Sequence, residues 1–286
     1  MSRPRSGPTV ALRLFAADLR ARREAAGVTL KAAADSLGVH TVTLSRLELA
    51  RTVPSLATIS HLLKLYGAPD EEAGVVLRAL EEAEKPGWWH PWRDVLPEHL
   101  AGMIDLESAA DLIRVYSPGA VPELLQTPGY ARALLQLHHP RATGEEVDRR
   151  LQLLRERQEH TLRRPARPVR LWALIEDAVL QRPVGGPSAM TEQMNFLNHY
   201  TRHRSSGITV QAIPTAVGAH PLLLSGPVSI LRYTHPLLED RLIGRGLHRE
   251  TTPDTEDSDA VHTYLVAMDE TAALAPPPTT PLPTPF

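Results

Sequence analysis

The stretch from Gly27 to Ser55, GVTLKAAADSLGVHTVTLSRLELARTVPS, constrains this chain more than any other. Two short segments of helical apolar periodicity flank Leu37-Gly38-Val39, where a glycine can end one helix in a tight turn before the next begins. Leu30, Ala33, Ala34 and Leu37 fall at the i, i+3, i+4, i+7 spacing of one helical stripe. Leu44 and Leu47 continue that stripe on the second helix, and Val39 is expected to fill the corner. The small Ala33-Ala34 pair allows a close crossing. Thr41, Thr43, Ser45 and Arg46 are then left on the outer face. Base edges in a DNA major groove are read by donors, acceptors and methyl groups, and these side chains together with Val42 supply all three. The layout is that of a helix-turn-helix.

The residues GVT, then LGV, then TLSRLE, with Pro54-Ser55 opening a following helix, resemble the XRE type of transcription regulator, the phage-repressor-like helix-turn-helix proteins. The resemblance covers about the first 85 residues. It implies that Arg23 and Glu48 form a buried ion pair tying the first helix to the third, and that positions 40 to 46, beginning at His40, face double-stranded DNA with Arg51 close by. Three positions depart from the family pattern: Leu30 stands where a phosphate-clamping Gln is usual, His40 where a small N-cap is usual, and Ala50 where a glycine commonly ends the recognition helix.

Around this unit, residues 11 to 26 predict a first helix with Leu12, Phe15 and Leu19 inward and Arg13, Arg20 and Arg22 outward, available with Arg51 as positioning charge. Leu56, Ile59, Leu62, Leu63 and Tyr66 predict one face of a fourth helix ended by Gly67. Asp70 to Glu84 predicts a fifth whose acidic start suits a helix N-terminus. Charge is divided to match, since residues 1–67 carry net +6 and the remainder −8 within a total of −2. A basic first unit fits a nucleic-acid partner.

Pro86-Gly87 predicts the end of this domain, giving 1–85 as the helix-turn-helix domain, 88–274 as an α+β regulatory or interaction domain, and 275–286 as a disordered proline-rich tail. Trp88, Trp89 and Trp92 follow the break, either as a stacking platform for bases or as a seam that docks the second domain; the seam is favoured because no arginine-rich groove accompanies them. Helices are expected at 98–116, 121–126, 128–138 and 143–163, with Thr127-Pro128 as an N-cap and first-position proline. VRLWALI (169–175), ITVQAI (208–213) and VSILRY (228–233) predict strands, with a helix over 190–204, a further strand within 237–244 and a terminal helix over 256–274. The fold class expected is therefore mixed: an all-α domain of about five helices, then an α+β domain with a small sheet. SPGAVPELLQTPGYARALL, with the flanking DLESAADLIRVY and LWALIEDAVLQRPVGG, resembles the C-terminal domain that follows XRE-type domains in many actinobacterial, antitoxin-like regulators. Glu123 departs from that pattern, which usually has Gly.

Other constellations carry little chemistry. His199 and His203 are an i, i+4 pair that could hold a metal, but no HExxH glutamate and no cysteine complete a site, so a surface pair is expected. His138-His139-Pro140 reads as a helix end. Gly185-Gly186 lacks the Lys-Ser/Thr of a phosphate loop and reads as a loop before a helix. Glu176-Asp177 could do acid–base work, but its context favours a helix N-terminus stabilised by negative charge.

No enzyme, cofactor or metal is expected. With no cysteine, no apolar run long enough to span a membrane and no secretory leader, the expected location is cytoplasmic, at the nucleoid. The function expected is a sequence-specific DNA-binding regulator, acting as a homodimer, whose second domain dimerises, binds a partner or senses a small-molecule effector. The alternative is an antitoxin-like protein that binds a small partner protein and autoregulates. A ligand-modifying enzyme tethered to DNA is a third reading.

Overall fold

The computed structural model describes residues 9–164, 168–202, 207–244 and 254–283. The chain divides between Leu106 and Glu107 into two compact units. That is some twenty residues after Pro86-Gly87, because the chain beyond the break returns to the first helix: the Val10 amide donates to the Asp105 carboxylate.

In the first unit α1 (Val10–Ala25), α2 (Leu30–Ser36), α3 (Thr41–Glu48), α4 (Leu56–Leu65) and α5 (Asp70–Ala83) close around one core. Leu19, Ala33, Ala34, Leu44, Ile59, Leu62, Leu63 and Leu80 are buried at its centre. Leu30 and Leu37 pack partly buried at its rim. Two expected members lie outside it. Val39 is 36% exposed and Leu56 46% exposed, because each sits at a helix boundary where the chain turns away from the core.

One device ends α1, α2, α3 and α4 alike. The residue after each C-cap is left-handed: Gly27 (φ 66°), Gly38 (φ 66°), Ala50 (φ 55°) and Gly67 (φ 74°). The two backbone bonds of a Schellman motif accompany it, as in Val39 N–H to Ala34 (3.1 Å) with Gly38 N–H to Asp35 (3.1 Å). At the end of α3, Arg51 N–H bonds Arg46 (2.8 Å) and Ala50 N–H bonds Leu47 (3.0 Å). Ala50 thus adopts the conformation a glycine would take, with its methyl group buried.

After α5, Trp88 meets Trp89 and Trp92 edge-on, at 6.0 and 6.3 Å between ring centres. Trp89 is buried, which removes it from any base-stacking platform. Its ring lies against Gly87, where a Cβ would come within 2.0 Å of it.

The helix expected over 98–116 stops early, as α6 (Glu98–Ala109), and Leu112–Ser117 is a strand, β1. It is followed by a 3-10 turn at Glu123–Leu125, then α7 (Pro128–His138), α8 (Gly144–Leu162), β2 (Arg170–Glu176), α9 (Asp177–Gln181), α10 (Gly186–Arg202), β3 (Ile208–Ile213), β4 (Val228–Arg232), β5 (Arg241–Gly244), β6 (Asp254–Thr255) and α11 (Ser258–Leu274). The strands form one sheet in the order β3-β2-β1-β4-β5-β6. β1, β2 and β3 run parallel, and β4 and β5 then alternate in direction. β1 holds the middle, paired on one side with β2 and on the other with β4, and this two-sided pairing overrides the helical spacing of DLIRVY.

The motif SPGAVPELLQTPGY explains itself through backbone bonding. Tyr130 Oη accepts from the Val121 amide (3.1 Å), Gln126 donates to the Val121 carbonyl (2.7 Å), and Gln193 of α10 takes the Thr127 amide (2.8 Å) while donating to the Leu125 carbonyl (2.7 Å). Thr127 occupies the N-cap of α7 without making a side-chain cap bond, and its buried hydroxyl has no partner among the described residues. Gly185 precedes α10 and Gly186 opens it, with φ of 75° and 86°; a Cβ on Gly185 would meet Ala189 at 2.9 Å and Ala133 at 3.3 Å, so Gly185 serves close helix packing. His138 ends α7. His203 lies outside the described residues, and His199 meets Tyr200 edge-on at 5.5 Å.

Arg157 of α8 is buried against Glu107, with Nε–Oε1 at 2.6 Å and Nη2–Oε2 at 2.7 Å, and its third nitrogen pairs with Glu123. Burial opposes the guanidinium charge, but the two carboxylates outweigh it and raise the pKa of Arg157. Glu123 therefore has a definite partner where the family pattern has Gly.

On one sheet face Arg114 stacks over Trp172 (4.7 Å) and pairs with Asp269 of α11 (2.7 Å), while the Trp172 indole donates to Gln211 (2.7 Å). Gln211 in turn donates to the Pro276 carbonyl (2.9 Å). The composition of the tail predicts no packing, yet Leu282 is 5% exposed and its amide bonds Asn198 (3.0 Å). The folded unit supplies polar side chains that satisfy the tail's backbone, so one buried leucine suffices to seat it; residues 284–286 lie outside the described residues.

Candidate nucleic-acid interface

α3 is eight residues long, about 12 Å at 1.5 Å per residue, close to the width of a major groove. Leu44 and Leu47 point into the core at 1% and 6% exposure, which fixes the rotation of the helix. The opposite side then carries His40, Thr41, Val42, Thr43 and Arg46, all exposed, with Ser45 half-buried beside them. Val42 is 58% exposed and Leu49, which the sequence reading passed over, extends the same outer side at 48%. His40 is the N-cap and makes no side-chain cap bond, unlike Thr29 of α2, whose hydroxyl accepts from the Ala32 amide (3.1 Å).

The helix is held in place from behind. Arg23 of α1 meets Glu48 through Nε–Oε1 at 2.7 Å and Nη2–Oε2 at 3.0 Å, and its remaining nitrogen donates to the Val28 carbonyl at 3.0 Å. The hydrogen bond from Arg23 to Glu48 raises the guanidinium pKa further above neutrality. Tyr66 lies beside the pair, and burial, aided by the Glu48 charge, pushes its phenol up to about 12.

The basic side chains divide sharply. Arg20 pairs with Glu24 (2.8 Å), and Arg22 with Asp18 (2.8 Å) and Glu72 (2.9 Å), so both outer arginines have acidic partners within the unit. Arg13 is half-buried, close enough to Asp105 to pull on its titration. By contrast Lys31, Arg46, Arg51 and Lys64 are exposed and have no ion-pair partner among the described residues. Periodicity could not distinguish paired from unpaired arginines, because the partners lie on other turns and other helices.

A family model described as "Helix-turn-helix domain" matches residues 14–75, and one described as "Domain of unknown function (DUF5753)" matches residues 100–281. The chain belongs to the DUF5753 family. No curated protein and no solved structure matches the chain. The DUF5753 unit thus follows a helix-turn-helix domain, a DNA-binding module in which α2 and α3 are the two helices either side of the Gly38 turn. None of the described helices is long and apolar enough to cross a membrane.

Proposed function

We propose that the chain is a sequence-specific transcriptional regulator of the XRE type, in which α3 reads DNA bases through Thr41, Val42, Thr43, Ser45 and Arg46 while His40 and Arg51 approach the backbone. The observation that carries this reading is the two-sidedness of α3: two buried leucines set its rotation, and its outer side presents hydrogen-bonding groups, an exposed valine and an unpaired arginine. Val42 offers a methyl surface to thymine, Thr41 and Ser45 donate or accept, and Arg46 matches the two acceptors of guanine. One such helix spans too few base pairs for genomic specificity. The regulator therefore acts as a homodimer on half-sites about 34 Å apart or a multiple of that. The DUF5753 unit supplies dimerisation, partner binding or sensing, and the protein works by binding, without catalysis. An antitoxin-like role, with a small partner protein held by this unit and autoregulation through DNA, draws its support from the sequence resemblance.

Arg46→Ala tests the assignment. On a selected operator it is expected to cost about 1 to 3 kcal/mol, with much less loss on random DNA and relaxed preference at one base pair per half-site. Equal losses on both DNAs, with a salt slope reduced by about one charge per subunit, would make Arg46 a phosphate contact. Unchanged affinity on both would remove α3 from the interface.

A further inference from the structure

The connection from β3 to β4 has an unusual path. β3 ends at Ile213, beside Glu176 at the end of β2; β4 begins at Val228, opposite Tyr116 near the end of β1. Residues 214–227 must therefore cross the carboxyl ends of β2 and β1, a distance of three strand spacings or about 14 Å. Open sheets with parallel strands bind ligands beyond these carboxyl ends.

Three polar side chains from distant parts of the chain meet there. The Tyr116 hydroxyl donates to Glu176 Oε1 (2.8 Å), His220 Nε2 stands 3.0 Å from the same oxygen, and the two rings meet edge-on at 5.8 Å. Tyr116 is 0% exposed, and the side chain of His220 only 1%. The Glu176 side chain keeps 17% exposure, so Glu176 is the member of the cluster that solvent reaches. Although Glu176 is the N-cap of α9, its side chain makes no cap bond; Asp177 is engaged by the Thr215 hydroxyl. Burial, with the bond to Glu176, pushes the Tyr116 phenol upward, which keeps it a donor.

Such a cluster is a poor way to stabilise a fold, since apolar side chains of similar size would pack there at no desolvation cost. It also has open valences. Both contacts to Glu176 use Oε1, leaving Oε2 without a bond; no Lys or Arg pairs with Glu176 among the described residues; and both ring nitrogens of His220 are buried without a hydrogen-bond partner. The site thus offers an unneutralised carboxylate, and its complement is a cationic donor. Leu222 of the same loop is buried in the core with Tyr116.

We propose that the carboxyl edge of the parallel strands is a binding site for a small aliphatic amine, with the Glu176 carboxylate as the counter-charge to the ammonium, Tyr116 as the positioning residue that holds that carboxylate, and the buried, unpartnered His220 ring beside it. This deepens the sensing role of the DUF5753 unit and rests on that reading for its regulatory consequence, though amine binding itself is independent of DNA.

The test uses the full chain with 15N-labelled histidine, its His220 ring signals identified by their loss in His220→Gln. n-Butylamine is titrated at fixed pH and ionic strength, with butyrate as the probe of equal apolar length and opposite charge. A saturable movement of the His220 signals with n-butylamine and none with butyrate is expected. Glu176→Gln is expected to weaken binding about tenfold or more by removing a charge-assisted bond, with the amine response lost before the thermal midpoint moves. No saturable response, an equal response to both ions, or undiminished binding in Glu176→Gln would overturn the proposal. Should that variant not fold, the contrast between the two ions on the natural chain decides alone. Operator binding is measured in parallel. Amine failure with intact DNA binding removes this site only, and DNA failure with intact amine binding removes only the reading of α3.

Discussion

Each unit contains a buried two-armed Arg–Glu pair, and the two pairs differ in a way that separates the units. Arg23 and Glu48 lie 25 residues apart on α1 and α3, with the third arginine nitrogen closing on a nearby backbone carbonyl. Arg157 and Glu107 lie 50 residues apart on α8 and α6, and there the third nitrogen takes a second carboxylate, Glu123, from the turn before α7. The first pair joins two helices of a small helical unit, and it fixes the attitude of one helix. The second ties three separate segments around an excess of negative charge. Short-range order suffices to orient a reading helix; an α+β unit with a central strand depends on long-range convergence, and its polar interior shows it.

Breaking the pairs gives the largest expected effects. Arg157→Ala strands the buried Glu107 carboxylate and removes a partner of the more exposed Glu123, and is expected to cost about 3 to 5 kcal/mol, measured as the shift of a denaturant midpoint at constant slope. Adding Glu107→Leu should recover a large part of it. A loss under about 1 kcal/mol would mean that water reaches the pair and that the contrast drawn above is wrong. Arg23→Ala falls in the same range but should also depress operator binding beyond its effect on stability, because it frees α3 to rotate.

Leu44→Ala sharpens the account of α3, whose rotation it sets. It is expected to cost about 2 to 5 kcal/mol through lost burial and the cavity left behind. An unchanged thermal midpoint would show that α3 is turned the other way and that its outer side has been misassigned.

Asp105 gives the first unit a pH dependence of opposite sign to its surface carboxylates. Burial raises its pKa from 3.8 to about 6, against the pull of the Val10 amide and Arg13. The folded state then keeps a proton that the unfolded state has released. This contribution is complete below pH 3.8, falls as the pH rises, and is gone above about 6. It amounts to about 1 to 3 kcal/mol. Residues 1–106 made alone, compared with Asp105→Asn between pH 4 and 7, should show a pH-dependent difference in midpoint; parallel curves would refute it.

The smallest effect expected is at Ala50. Gly in its place would relieve about 1 kcal/mol of left-handed strain but forfeit roughly 0.8 kcal/mol of methyl burial, so Ala50→Gly should leave the thermal midpoint within a degree or two. Ala50→Val, β-branched at φ 55° in a closed site, should instead lose about 2 to 4 kcal/mol. A clear gain from Ala50→Gly would show that the methyl contributes nothing.

The sequence by itself determined whatever depends on neighbours within a turn or two. Ala33, Ala34, Leu44 and Leu47 lie where periodicity places them, Gly38 turns left-handed where a helix must stop, and β3 spans Ile208–Ile213 as its β-branched run predicts. Tertiary structure alone decided the rest. The segment Leu112–Ser117 has residues that suit either a helix or a strand, and only its two flanking strands make it the centre of the sheet. Arg20 and Arg46 look equivalent as charges in sequence, yet one is spent on Glu24 and the other is open. Glu123 and Gln193 carry no local signal, because the groups they satisfy come from segments that the fold brings within about 3 Å of them. Backbone propensity acts over a few residues, whereas the partner of a buried polar group is chosen by the whole topology.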